Sequence, residues 1–221
     1  MNTVTLDEKV YCFTENEFSM LLSAAGIENL LCFHPKEGGE SFRKLSQEEL
    51  NVTISRLVQS GVLSVSGDQY PVNPEVGEIF RMIKKCGTVI YYLPGEKNRM
   101  TYCLYVDENG DFLSAVTDGS GSDYIRLSKH GEEEFERTLH EIGLLYDKEN
   151  DTPQEDVLSA EDDKIEIYDG TSGEVRFEAF IERDSGVPKR IRIGEDSAEY
   201  KAERLMTEIR NGLGGHKDDI G

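Results

Sequence analysis

The chain has 221 residues, 44 of them Asp or Glu and 24 Lys or Arg, for a formal net charge of −20. A surface this negative repels phosphate backbones and anionic lipid headgroups, which argues against nucleic-acid and membrane-surface partners and favours basic or amphipathic proteins. The 37% of hydrophobic residues suffices for a core. No apolar run reaches the roughly 20 residues that span a bilayer. The opening "MNTVTLDEKV" lacks an apolar signal core, so the expectation is a cytoplasmic protein.

In chain order, "TENEFSMLLSAAG" predicts a first helix over about Glu15 to Ala25. Thr14 and Glu17 form a capping box, Phe18, Leu21 and Leu22 share a face, and Gly26 is the stop. "IENLLCF" and the loop "HPKEGGE" follow. "SQEELNVTISRLVQSG" repeats the grammar, with Ser46 and Glu49 as the box, Leu50, Ile54, Leu57 and Val58 as the stripe, and Gly61 as the stop. "VLSVSGDQYPV" predicts a hairpin around Ser66–Gly67–Asp68. Asn73 then caps a third helix with Pro74 at its first position. Helix, Gly, hairpin, helix is the pattern of a winged helix.

Beyond Gly87 the chain is strand-like. "TVIYYLP", "RMTYCLYVD", "FLSAVTD" and "YIRLSK" predict an antiparallel meander, followed by a helix over "GEEEFERTLHEIGLLY". Residues 147–163 carry eight acids and one Lys, the composition of an acidic linker or loop. "KIEIYD", "EVRFEAFIERD" and "VPKRIRIG" predict a second meander, and "DSAEYKAERLMTEIRNG" a final helix. The fold class expected is α+β: a winged-helix-like segment (1–87), a meander with its helix (88–146), the acidic segment (147–163), a second meander with its helix (164–211) and a tail (212–221). The two meanders rhyme, which suggests a quasi-two-fold arrangement within one compact domain.

The winged-helix pattern lacks the chemistry for reading DNA. The helix in the recognition position offers one cation, Arg56, against Glu48 and Glu49, and the turn Ser66–Gly67–Asp68–Gln69 offers none. Base edges need Arg, Lys, Asn or Gln, and phosphates need cations on the wing. Cys12, Cys32, Cys86 and Cys103 form no CxxC pair, so reduced, mostly core cysteines are expected. His34, His130, His140 and His216 fall in no metal spacing and read as surface or capping groups. "DENGDF" departs from a calcium loop and reads as a hairpin turn. No nucleophile elbow, phosphate loop or paired Cys–His arrangement is present. The expectation is a non-enzyme without metal or cofactor.

The order of parts, with Leu57, Gly61, Val62 and Leu63 followed by Asn73, Pro74 and Glu75, resembles the EspG-like chaperones of type VII (ESX) secretion. The resemblance spans about 45–118. It implies a quasi-two-fold fold of antiparallel sheet and helices, and a cytosolic chaperone or adaptor that binds helical-hairpin secretion substrates. No family motif residue carries over at the client site. By topology alone, the binding candidates are Asp107, Asn109 and Asp111 of the "DENGD" turn and Leu205 and Ile209 of the last helix. A winged-helix transcriptional regulator and an acidic immunity protein that binds a toxin are the alternatives.

Overall fold

The computed structural model describes residues 10–27, 30, 45–95, 100–117, 124–146 and 162–214. Their elements, in order, are β1 (Val10–Thr14), α1 (Glu15–Ala24), α2 (Gln47–Gln59), α3 (Pro74–Lys85), β2 (Thr88–Leu93), β3 (Thr101–Val106), β4 (Phe112–Thr117) and β5 (Tyr124–His130). A 3-10 turn (Glu132–Glu134) then leads into α4 (Phe135–Glu141), followed by β6 (Asp163–Asp169), β7 (Val175–Asp184), β8 (Val187–Ile193), β9 (Asp196–Glu199) and α5 (Ala202–Gly214). The architecture is mixed α+β.

The strands form one antiparallel sheet in the order β1-β5-β4-β3-β2-β6-β7-β8-β9. Two meanders meet through their leading strands, with Ile90 opposite Ile167 and Tyr92 opposite Ile165. Alternation along each strand sends successive side chains to opposite faces. Val89, Cys103, Tyr105, Leu113, Ala115, Ile125 and Leu127 pack on one face under α1, α2 and α3. Ile90, Leu104, Phe112, Ile165, Ile167, Ala179, Ile181 and Ile191 pack on the other under α4 and α5. Each helix layer therefore has its own core, and the sheet separates them. Beyond the first layer, the same face of β6–β8 carries charge. Lys164 and Arg192 lie over the Phe180 ring at 5.8 and 4.3 Å.

Both capping boxes form. Thr14 Oγ1 accepts from Glu17 N while Glu17 Oε2 accepts from Thr14 N, and Ser46 and Glu49 repeat the exchange. Asn73 Oδ1 accepts from Glu75 N at 2.9 Å and starts α3. The segment between α2 and α3 forms two isolated bridges, Leu63–Val72 and Ser66–Gln69, rather than two strands.

Four further sequence expectations change. Val10–Thr14 is a strand directly abutting the first helix, paired with β5. Asp196–Glu199, assigned above to the last helix, is a strand paired with β8, and α5 begins at Ala202. The helix after the first meander is shorter than its apolar stripe suggests, because the chain turns at Gly143 (φ +77°) and delivers Leu144 and Leu145 to the core as a loop. Asp163, assigned to the acidic linker, is the first residue of β6 and is buried. Cys86 and Cys103 are buried and reduced, whereas Cys12 is exposed. Cys32, His34, His216, the "HPKEGGE" loop and 147–161 lie outside the described residues. No helix among the described residues is long and apolar enough to cross a membrane.

Candidate protein-docking surfaces

The "DENGD" turn joins β3 to β4 and satisfies itself. Asp107 N donates to the Asp111 carbonyl at 2.9 Å, and Asp107 Oδ1 accepts from Asn109 N at 2.8 Å. Glu108 and Asn109 are exposed at its tip, while Asp107 and Asp111 are half-buried. Gly110 has φ +91°, and a Cβ there would meet the Glu132 side chain. The turn is thus a short acidic knob seated against the 3-10 turn.

Leu205 and Ile209 are both 0% exposed. Their side chains face the sheet with Met206 and serve the core of the α4–α5 layer. The helical period alone identifies a buried stripe, and a stripe that closes a core offers no surface to a partner. The solvent side of α5 is carried instead by Glu203, Thr207 and Arg210.

Those residues border a groove of about 570 Å³ between α4, α5 and the β8–β9 end of the sheet. Leu145 and Met206 contribute apolar surface, and both are nearly buried. The groove also brings together Lys189, Lys201, Arg210 and His140 with Glu136, Glu199 and Glu203. Arg210 Nη2 reaches Glu136 Oε2 at 3.2 Å, tying the two helices together from exposed positions. Tyr200 fixes the far end, where its hydroxyl donates to the Leu144 carbonyl and accepts from Tyr146 N, each at 3.1 Å. Sequence reading missed this groove because it joins residues from four separate segments. The signal available was the amphipathic pattern of α5, read from its buried side only.

His130 is also not the surface group expected. It is 9% exposed and stacks on Phe112 with ring centroids 4.7 Å apart. Its Nε2 lies 2.9 Å from Ser114 Oγ, and its Nδ1 lies 3.5 Å from Glu134 Oε2. A hydroxyl, an imidazole and a carboxylate in a row match the order of a nucleophile, base and orienter. Here the serine sits mid-strand, 7% exposed. The Ser114 hydroxyl also lies 3.4 Å from the Ser128 carbonyl, the geometry of a polar tie between β4 and β5.

Arg56, the one cation of the recognition-position helix, is 3.3 Å from Glu17 Oε1. It ties α2 to α1. No group of three His, Cys, Asp or Glu among the described residues is placed to hold a metal ion. No protein-family model matches the chain, and no curated protein matches its sequence.

Proposed function

We propose that the chain is a non-catalytic, cytosolic protein-binding chaperone or adaptor of the EspG-like kind, serving helical-hairpin substrates of type VII secretion. The observation that carries this reading is the pairing of the two meanders. Their leading strands, β2 and β6, run antiparallel side by side, each meander steps outward from that seam, and the helix after each one packs on the same face. A two-fold axis through the seam would exchange β2–β5 and α4 with β6–β9 and α5, the quasi-two-fold plan that the resemblance implies. On this reading α1–α3 are an added layer. The Gly61 stop, the Leu63–Val72 bridge and the tight turn at Gly67 support reading α2 and α3 as winged-helix-like. That module serves packing, since Arg56 is engaged with Glu17 and the turn carries no cation.

The client site on this reading is the α4–α5 groove together with the acidic β3–β4 knob. Both lie in reach of the second core layer, and the groove is larger than a single side chain. A helical hairpin docks through apolar anchors at helical spacing with a polar rim. The test is capture with the tagged full-length chain at moderate salt, followed by reconstitution with the purified candidate. The expected result is a one-to-one complex with a small helical-hairpin protein, weakened by a Lys201→Glu/Arg210→Glu chain that melts like the parent. Three other outcomes would each overturn the reading: salt-sensitive binding to duplex DNA, stoichiometric silencing of a toxin, or reconstituted candidates that fail to bind.

A further inference from the structure

On the opposite face of the sheet, the helix layer contains a second opening, unrelated to the groove above. Leu21 and Ala24 of α1, its C-cap Ala25 and Phe80 of α3, with Val72 between them, line an apolar cleft of about 280 Å³. Leu21 and Phe80 form its floor and are 2% and 3% exposed. Small-molecule sites run to roughly 300–1,000 Å³. This cleft is at or below that range and suits one large apolar side chain, the usual anchor of a protein interface.

Gly77 lies in the interior of α3 and borders the same cleft. Glycine in a helix interior costs about 1 kcal/mol relative to alanine. Close packing does not require it here, because a Cβ at Gly77 would meet nothing within 4 Å. The position keeps space open rather than admitting a neighbour.

The mouth is cationic. Arg81 and Lys84 line it, and Lys85 follows on the same helix. Lys84 Nζ donates to the Ala25 carbonyl at 3.1 Å, and Arg81 pairs with Glu78. On a chain of net charge −20, most of the surface repels an acidic partner and this rim does not. A cleft between two helices is filled most readily by a third, through anchors spaced three or four residues apart.

We infer that the α1–α3 cleft is a docking socket for an amphipathic helix of a partner protein, one whose large apolar anchor is flanked by acidic residues one turn away. The partner's anchor covers Phe80 and Leu21, and its carboxylates face Arg81 and Lys84.

The experiment uses the full-length chain with labelled methyl groups and two alanine-based helical peptides of about 18 residues. Each peptide carries a single Phe, flanked three and four residues away by Glu in one and by Lys in the other. The Glu peptide is expected to shift the Leu21, Ala24, Ala25 and Val72 methyl signals, and the Lys peptide to bind at least tenfold more weakly. Gly77→Phe should fill the cleft and abolish the shifts. Arg81→Glu, at an exposed position, should reverse the peptide preference and decides the matter if Gly77→Phe does not fold. Arg204→Glu, at an exposed position of α5 on the other face, should leave these shifts unchanged. The inference is overturned by the absence of shifts at these methyls, by equal affinity for both peptides, or by shifts that follow chain concentration without peptide, which would mark self-association.

Discussion

Arg183 and Asp163 form an ion pair inside the molecule, with Nε donating to Oδ2 at 2.5 Å and side chains 6% and 2% exposed. The pair is fully bonded. Asp163 also accepts from the Tyr92 hydroxyl at 2.7 Å and from Gly95 N at 2.9 Å. Arg183 donates to the Gly186 carbonyl at 3.0 Å and to the Gly143 carbonyl at 2.5 Å. These contacts bind β2 of the first meander and the turn after α4 to β6 and β7 of the second. Burial alone would lower the Arg183 pKa, but Tyr92 and Asp163 together hold it above its ordinary value.

Removing one partner of such a pair strands the other. Arg183→Met is expected to cost about 3–5 kcal/mol, because Asp163 would remain buried without its cation. Arg183→Met/Asp163→Leu should recover much of that loss, since an apolar replacement of a whole pair is often neutral. Urea unfolding of the three chains measures both values. A single-mutant loss under about 1 kcal/mol would mean that water reaches the pair.

Asp169, at the other end of β6, is expected to contribute to acid stability. The Ser172 and Thr171 backbone N–H groups, at 2.7 and 2.8 Å, and the Arg176 guanidinium hold its carboxylate charged. They outweigh burial and lower its pKa from 3.8 to about 2. A carboxyl group with a depressed folded-state pKa stabilises the fold fully above its unfolded value and loses that contribution as pH falls toward the folded one. The Asp169 contribution is therefore present above about pH 4 and lost between about pH 4 and 2. Asp169→Asn should lower the urea midpoint at pH 6 and flatten its dependence on pH in that window. Parallel curves for the two chains would remove Asp169 as the cause.

Gly170, the next residue, marks a crossing of two chain segments. Its N–H donates to the Gly87 carbonyl at 2.9 Å, and a Cβ there would collide with the Cys86 carbonyl. The obstacle is backbone, so no rotamer change relieves it. Gly170→Ala is expected to cost on the order of 3 kcal/mol through overpacking where the helix layer joins the sheet. Gly61→Ala serves as the contrast. Its φ is +75° but nothing lies within 4 Å of the added carbon, so it should show backbone strain of about 1 kcal/mol and no displacement of β2. Melting temperatures and amide shifts of Thr88 and Val89 distinguish the two effects.

The elements with strong local chemistry were legible in the sequence. Thr14–Glu17, Ser46–Glu49 and Asn73–Pro74 announce three helix starts through the groups that satisfy them. The runs "TVIYYL" and "KIEIY" announce buried strands through β-branched and aromatic residues. What stayed hidden depends on distant partners. β1 is five residues long, and its partner Leu127 lies far along the chain from Tyr11. β9 is made of Asp-Ser-Ala-Glu, poor strand formers held at a sheet edge by pairing with Arg190 and Arg192 of β8. The turn that feeds it, Gly194 at φ +59° followed by Glu195, is a hairpin signal that the adjoining helical pattern concealed. The candidate docking surfaces were less legible still. A hydrophobic stripe such as Leu205 and Ile209 shows which side of a helix is buried but not what remains open beside it.

The Ser114–His130 contact should contribute to stability rather than to turnover. Ser114→Ala leaves the ring nitrogen without the hydroxyl 2.9 Å away, in a place 9% exposed. The expected loss is about 1–3 kcal/mol, the cost of an unmet buried polar group. His130→Phe should cost less, because the Ser114 hydroxyl keeps the Ser128 carbonyl as an acceptor at 3.4 Å and a ring remains against Phe112. Ser114→Ala/His130→Phe should then cost less than the two single changes added together, because removing both partners leaves nothing unmet. A double-mutant cycle by urea unfolding gives this coupling directly. The competing account, a nucleophile relay ending at Glu134, predicts ester hydrolysis that disappears in Ser114→Ala at a temperature where the chain remains folded. Hydrolysis of p-nitrophenyl acetate by the parent that is unchanged in Ser114→Ala is the expected result. Selective loss in that variant would assign the tie to chemistry instead.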